Sequence, residues 1–324
     1  MKVIEHVEKA IAAKQTLFSC EIVPPPRGKS AQEIIDTVEL LTPIRPAWID
    51  VTSHSSMAYY HEKNDGSVEK RIYKKRPGTL GICGIIQNRF KIDTVAHILC
   101  KGYTREETED ALIELHYLGI HNILALRGDG PNYNKEISKN RTANLYASDL
   151  VKQATDLRKG IFLDEISDSS PLDFCVGVAG YPEKHFEAAN MKMDLHALKL
   201  KVDAGADYIV TQMFFDNQKY FDFVKACRAV GINVPIIPGL KVIKTYNQLT
   251  TLPKTFHVDL PTPLVDEILE NPKHVEEIGK RWAIKQCEEL LNFGVPVLHF
   301  YIMNDAPQIV EIFKGLQGRA AKAV

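Results

Sequence analysis

The sequence lacks the features of membrane, secreted and nucleic-acid-binding proteins. Its 324 residues contain no apolar run near the roughly 20 residues that span a bilayer. Residues 1–6 lack the basic-then-apolar layout of a secretion signal. The formal net charge of -1 argues against general binding to nucleic acids or anionic membranes. We therefore expect a cytoplasmic protein whose partners are small molecules.

Motifs of metal and nucleotide sites are also absent. The six cysteines are scattered without a C-x-x-C pair, which fits reduced core thiols better than disulfides or zinc ligands. The chain has no G-x-G-x-x-G, no G-x-x-x-x-G-K-[ST] and no H-E-x-x-H. A dinucleotide-binding sheet, a nucleotide-phosphate loop and a zinc protease thus lack their motifs, and we expect no metal. An organic cofactor remains compatible with the sequence.

Short apolar runs alternate with helical patterns, and the length suits a barrel of about 250 residues with insertions. The strand-like runs are residues 17–23, 47–54, 94–100, 122–129, 172–182, 207–213, 234–240 and 297–304. Eight such runs favour an α/β fold, a closed eight-stranded βα (TIM) barrel, over a doubly wound open sheet. We expect helical insertions and an extra N-terminal helix over residues 3–14. Its face of Val3, Val7 and Ile11 would cap the bottom of the barrel.

The run 122–129 is apolar until it ends in Arg127, Gly128 and Asp129. Catalytic barrels place their chemistry at the carboxyl ends of such strands, although an ordinary turn is the alternative for this tripeptide. The other strand ends repeat the pattern, so we expect one pocket. The strand ends carry Glu21, Thr52, the His97 region, Asp129, Tyr181, Gln212, Gly239 and Asn304.

Two of these features have competing interpretations. Glu21 lies in an apolar strand, where a carboxylate is costly unless it is paired or its pKa is raised; the alternative is a tolerated edge-strand glutamate. His97, taken alone, is typical of a core histidine.

Charged side chains outside the strand ends are equally open to two interpretations. Asp194 and Lys201 share one face of a predicted helix over residues 187–204, either as a solvated pair or as contacts to a cofactor's ribose and diphosphate. The basic stretch from Arg71 to Arg76 is either a solvated loop or a phosphate or polycarboxylate contact.

Nine segments of the chain resemble those of the methylenetetrahydrofolate reductases, flavoprotein barrels that make 5-methyltetrahydrofolate. They occur in the order of that family over nearly the whole sequence. They are CEIVPPPRG (20–28), IDVT (49–52), ALRGD (125–129), YASDLV (146–151), AGYPEKH (179–185), KVDAGAD (201–207), TQMFFD (211–216), PIIPG (235–239) and HFYIMN (299–304).

The resemblance implies one FAD-binding catalytic barrel over residues 1–324, without the regulatory domain that eukaryotic members carry after it. It implies NADH or NADPH as reductant, without deciding between them, and a homo-oligomer. Thr52 matches a nicotinamide-side contact. The residues that match flavin contacts are His97, Arg127, Gly128, Asp129, Ala147, Tyr181, His185, Ala188, Asp194 and Lys201.

The resemblance also implies the chemistry, which serves one-carbon and methionine metabolism. Reduced nicotinamide passes a hydride to flavin N5 and leaves, and 5,10-methylenetetrahydrofolate then accepts it. The five-membered ring of the folate must first open to a 5-iminium cation, and Glu21 matches the acid beside N10. Asp129 matches a catalytic carboxylate beside flavin and folate, and Gln212 and Gln248 match folate contacts.

The sequence departs from the family at two positions. Asp305 stands where an arginine usually contacts the folate, and Leu200 replaces a basic residue found near the flavin in some members. The basic stretch from Arg71 to Arg76 is a candidate to compensate. Two other functions stay open: a flavin barrel of the proline dehydrogenase kind, and a flavin-free or folate-binding barrel that senses or stores a ligand. Carboxylates at strand ends favour an enzyme over a binding module.

Overall fold

The computed structural model describes residues 1–128, 137, 141–303 and 305–320. The strands are β1 (Leu17–Ile22), β2 (Trp48–Val51), β3 (Met57–Glu62), β4 (Val68–Tyr73), β5 (Asp93–Leu99), β6 (Asn122–Leu126), β7 (Cys175–Gly180), β8 (Tyr208–Thr211), β9 (Ile236–Ile237), β10 (Gly239–Leu240) and β11 (Val297–Met303). The helices are α1 (Val3–Ala13), α2 (Gln32–Leu41), α3 (Thr79–Phe90), α4 (Arg105–Tyr117), α5 (Ala147–Leu157), α6 (Met191–Asp203), α7 (Asn217–Ala229), α8 (Gln248–Phe256), α9 (Thr262–Glu270), α10 (Val275–Phe293) and α11 (Ala306–Ala320).

Parallel strands run around a barrel in the order β10-β11-β1-β2-β5-β6-β7-β8-β9. The short strands β9 and β10 are two halves of the predicted seventh strand, and Pro238 separates them because proline has no N–H for the ladder. β9 pairs with β8, whereas β10 pairs with β11. The two halves thus bring the ends of the sheet together, and the predicted eight-stranded βα barrel is confirmed.

Helix α1 caps the amino-terminal end of the barrel, as predicted. Val3 and Val7 are fully buried against a cluster that includes Trp48, and the Val3 N–H donates to Asn122 Oδ1 at 2.8 Å. The prediction that Ile11 shares this face was wrong, since its side chain is 59% exposed. At 3.6 residues per turn, a step of eight residues places the Ile11 side chain about 80° around the helix axis from the buried side chain of Val3.

Two insertions extend the barrel near its carboxyl-terminal rim. Helices α8 and α9 lie between β10 and α10, which confirms the prediction of helical insertions. The basic stretch was expected as a loop, but Arg71 lies in β4 of the antiparallel hairpin β3–β4, and residues 74–76 follow that strand. The hairpin strands have mostly exposed side chains, so they lack the alternation that reveals a strand in a sequence. Among the residues described, no helix is long and apolar enough to cross a membrane.

Candidate active site

Glu21 lies near the carboxyl end of β1, with Asp50 of β2 and Tyr301 of β11 as its neighbours in register. Cys20 and Ile22 on either side are buried in the layer between strands and helices, so the period of two turns Glu21 toward the barrel interior. Its side chain is only 13% exposed. Burial raises the pKa of Glu21 to about 7; His97 opposes the rise, Asp50 adds to it and Lys241 opposes it.

His97 and Asp50 lie beside Glu21 inside the barrel. His97 Nε2 is 3.3 Å from Asp50 Oδ2 and 3.7 Å from Glu21 Oε2. Burial lowers the pKa of His97, but the hydrogen bond with Asp50 and the charges of both carboxylates bring it above its ordinary value. His97 is therefore a buried histidine, as its sequence context suggested, with Asp50 as its hydrogen-bond partner and the candidate acid Glu21 next to it.

A second cluster forms where β7 leads into α6. Asp194 Oδ2 accepts the backbone N–H of His185 at 3.0 Å, and the rings of Tyr181 and His185 meet edge to face at 4.6 Å. Lys201 Nζ donates to the Ala179 carbonyl at 2.5 Å. Burial lowers the pKa of Lys201 to about 8, and Asp194 opposes this fall. Asp194 and Lys201 thus each hold backbone near the end of β7 and lie within electrostatic range of each other.

The carboxyl end of β6 faces this second cluster. Arg127 forms an ion pair with Glu187, and Gly128 has a φ of +87°, a conformation that favours glycine. Ala147 is the first residue of α5, and the carbonyl of Ala188 accepts a hydrogen bond from Lys184. Two residues expected at this rim, Asp129 and Asn304, lie outside the described residues.

Thr52 follows β2 and carries a buried hydroxyl. Its Oγ1 has no hydrogen-bond partner among the residues described, whereas its carbonyl accepts from Thr79 Oγ1 at 2.9 Å. A cavity of about 330 Å³ opens nearby, with Ser53, Thr79, His97 and Tyr103 in its wall. Leaving a buried polar group unpaired costs about 1–3 kcal/mol, so a ligand that supplies a partner fits here.

The two predicted substrate contacts lie on different loops of the rim. Gln212 follows β8, and its Oε1 accepts the N–H of Met213 at 3.0 Å. Gln248 begins α8, and its Oε1 accepts the N–H groups of Lys244 and Thr245 at 2.6 Å and 3.0 Å. The side-chain carbonyl of Gln248 therefore holds the loop between β10 and α8. The side-chain nitrogen of Gln248 is then the group that would contact a ligand.

The barrel and its rim can be compared with known proteins. The family model for methylenetetrahydrofolate reductase matches residues 6–317. The chain belongs to this family. The identification based on the sequence segments is therefore confirmed.

Individual relatives of the methylenetetrahydrofolate reductase family differ in length. Methylenetetrahydrofolate reductase 1 of Schizosaccharomyces pombe is 32% identical over 308 residues, which is 94% of this chain and 46% of the relative. The chain thus spans about half the length of that relative. The 5,10-methylenetetrahydrofolate reductase of Pectobacterium carotovorum is 30% identical over 291 residues, 89% of this chain and 86% of the relative.

A solved structure shares the fold of this methylenetetrahydrofolate reductase family member. It is a Clostridium thermocellum protein that binds two copies of 5-methyl-5,6,7,8-tetrahydrofolic acid. The two chains superpose with a TM-score of 0.55 at 14% identity, covering 96% of this chain and 98% of the other. At this identity the likeness supports the barrel architecture alone.

The structure accounts for one departure from the methylenetetrahydrofolate reductase pattern. Asp305 accepts a hydrogen bond from Lys244 Nζ at 2.8 Å, so the acidic replacement has a cationic partner. The compensation by the basic stretch stays a prediction: Arg76 donates to the carbonyl of Pro24, and the ammonium of Lys74 lies over the Tyr103 ring in the wall of the cavity.

Sequence reasoning missed Lys241, which follows β10 at the mouth of the barrel. Its Nζ donates to the carbonyl of Tyr301 at 2.9 Å. Burial lowers the pKa of Lys241, while Asp305 and Glu21 oppose this effect, so Lys241 lies within electrostatic range of the candidate acid. A lysine directly after a barrel strand was the signal available in the sequence.

Proposed function

We propose that this protein is an FAD-dependent reductase that converts 5,10-methylenetetrahydrofolate to 5-methyltetrahydrofolate with NADH or NADPH. The observation that carries the proposal is the Glu21 carboxyl, which is buried at the mouth of a barrel of this family with its pKa raised to about 7. A general acid works best when its pKa lies near the operating pH. Bound FAD would carry the hydride from the nicotinamide to the folate.

Glu21 would act by giving its proton to the N10 atom of the folate. The carbon–nitrogen bond to N10 then breaks, and its electron pair stays on N10, which leaves the electrophilic 5-iminium cation. The Glu21 carboxylate formed in this step faces His97 and Lys241, both of which favour its charged form. Gln212 and Gln248 would contact the folate, and Asp129 would favour the cation through its negative charge.

The residues of the second cluster fit a flavin dinucleotide. Lys201 would meet the diphosphate and Asp194 a ribose, while the unpaired Thr52 Oγ1 offers a hydrogen bond on the opposite side of the mouth. Gly128, with its φ of +87°, allows a left-handed backbone conformation at this strand end that other residues adopt only with strain. The remaining proposed contacts are His97, Arg127, Asp129, Ala147, Tyr181, His185 and Ala188.

Replacing Lys201 by methionine is expected to weaken FAD binding by about 10-fold to 100-fold, the usual size for one hydrogen bond to a charged group. Titration of FAD into apoprotein, followed by flavin fluorescence, measures the dissociation constant. Lys199→Met is the matched control, because Lys199 lies on the same helix and pairs with Asp203 at its surface. Equal dissociation constants for the two variants would contradict the assignment of Lys201.

Anaerobic stopped-flow spectroscopy of the purified protein tests the whole proposal. The protein is mixed first with NADH or NADPH and then with methylenetetrahydrofolate, while flavin absorbance is followed. We expect bleaching by the nicotinamide and recovery of the colour with the folate. A colourless protein that binds no FAD would overturn the proposal in favour of a binding module. Bleaching without recovery would assign a different acceptor, as in proline dehydrogenase-like barrels.

A further inference from the structure

We propose that Asp50 is a positioning residue for the acid: it holds His97 so that the Nε2–H group lies between Asp50 and the Glu21 carboxyl. This inference rests on the proposed function, because it concerns the proton that Glu21 would give to the folate. Nothing in the sequence segments assigned Asp50 a role. Three features of Asp50 support this role: its burial, its contact with His97 and the stability cost of a carboxylate inside the barrel.

Asp50 is only 1% exposed, yet among the described residues no lysine or arginine lies within 4.0 Å of its carboxylate. In the part of the chain that the structure describes, the basic side chains within 4.0 Å of Asp50 are His97 and His299. Its Oδ1 accepts the indole N–H of Trp48 at 3.0 Å. A buried carboxylate costs stability unless it is well paired, and apolar side chains of similar volume are often more stable. The presence of a buried carboxylate beside Glu21 therefore indicates that Asp50 has a functional role.

The proton on His97 follows from the atoms around Nε2. Two carboxyl groups face this nitrogen, with Asp50 Oδ2 at 3.3 Å and Glu21 Oε2 at 3.7 Å. An ionised carboxylate can only accept a hydrogen bond, so Nε2 carries a hydrogen. Asp50 thus selects the form of His97 that has an N–H between the two carboxyl groups. That N–H favours the Glu21 carboxylate once its proton has left.

His299 does not compete for this role. Its Nδ1 lies 2.8 Å from Ser19 Oγ and 3.9 Å from Asp50 Oδ1. Burial lowers the pKa of His299, Asp50 opposes this effect and His97 adds to it. His97 is therefore the histidine of this pair that carries charge more readily. Among the residues that the structure describes, the titratable groups that face Glu21 are His97, Asp50, Lys241 and Tyr301.

The variant Asp50→Asn keeps the size of the side chain and removes its charge. An asparagine amide can donate to His97 Nε2, which would make this nitrogen an acceptor and take away the N–H that faces Glu21. The variant loses the lowering effect of His97 on the pKa of Glu21 as well as the raising effect of Asp50. The His97 effect is the larger of the two, so the pKa of Glu21 should rise.

Two measurements test this prediction. In pH-dependent stopped-flow runs, the folate half-reaction of Asp50→Asn should be about tenfold slower on its plateau, and its decline should move to higher pH. Reduction by the nicotinamide should not change. Infrared titration of the Glu21 carboxyl band, assigned with Glu21→Gln, should show the same upward shift. Ser19→Ala is the matched control in this buried layer, and it should leave both pH dependences at their wild-type positions.

Each contrary outcome has a separate meaning. If Asp50→Asn moves neither the pH dependence nor the infrared band, the positioning role is wrong. If both half-reactions slow equally, Asp50 serves the structure only. If the wild-type protein fails to react with the folate, the proposed function fails. In that case the infrared titration still decides whether Asp50 controls the protonation of Glu21.

Discussion

Glu21→Gln is expected to slow hydride transfer to the folate by about 10²-fold to 10⁴-fold, the usual contribution of a general acid. Glutamine matches the shape of the side chain but has no proton to give to N10. Reduction of the flavin by the nicotinamide needs no such proton, so its rate should stay at the wild-type value. Stopped-flow traces of the two half-reactions separate these effects in a single sample.

The pH dependence of the folate half-reaction in the wild-type protein is an independent test of Glu21 as the general acid. Because Glu21 must be protonated, the folate half-reaction should decline as pH rises through about 7. The residual rate of Glu21→Gln should lack this decline. A variant that keeps the wild-type rate, or that loses both half-reactions together, would exclude Glu21 as the acid.

The same substitution should change stability, because burial raises the pKa of Glu21 from 4.5 to about 7. The folded chain holds this proton more tightly than the unfolded chain, so the free energy of unfolding falls as pH rises from about 4.5 to about 7. A shift of this size corresponds to up to about 3 kcal/mol. Glu21→Gln should avoid that loss and be more stable than the wild type at pH 8. Such a gain is typical of positions that serve activity at the expense of stability.

The barrel and the location of the site could be predicted because both depend on local patterns. Apolar runs that end in polar residues identify the strands, and in a parallel barrel all carboxyl ends meet at one mouth. The break in the seventh strand was foreseeable for a similar reason, since Pro235 and Pro238 cannot donate to a ladder. Glu21 could be singled out because a carboxylate inside an apolar strand is costly.

The partners of these residues could not be predicted, because they depend on three-dimensional register. Asp50 and His97 are 47 positions apart and meet only because β2 pairs with β5 in one alignment. Lys244 and Asp305 are 61 positions apart and meet because they follow β10 and β11, which pair with each other. No local pattern encodes either pair, so the acid was predictable while its electrostatic environment was not.

The interior of the barrel divides into two layers with different tasks. The lower layer is an apolar cluster around Trp48, Val95 and Tyr208, closed from below by α1. The upper layer holds buried polar groups, including Asp50, His97 and His299. The lower layer supplies hydrophobic stabilisation that offsets the cost of the charged groups above it. Substitutions in the upper layer should therefore change protonation and rate more readily than substitutions in the lower layer, which should change stability.

Gly279→Ala is expected to destabilise the protein by about 1–3 kcal/mol, the usual range for overpacking a buried position. Gly279 lies in α10, and a Cβ atom there would be 1.8 Å from the carbonyl oxygen of Ile243. That oxygen belongs to backbone, so the overlap can be relieved only by moving α10 away from the loop between β10 and α8. This loop carries Lys241 and leads into Gln248 at the start of α8, so the variant should also raise the KM for the folate.

The control for this prediction is Gly84→Ala in α3. Gly84 is also a buried helical glycine, but its Cβ would meet Leu118 at an ordinary distance of 3.6 Å. Alanine is favoured over glycine inside a helix by about 0.8–1.0 kcal/mol, so this variant should be slightly more stable than the wild type. Urea denaturation measures both changes. If the two variants have equal stabilities, α10 does not press against Ile243.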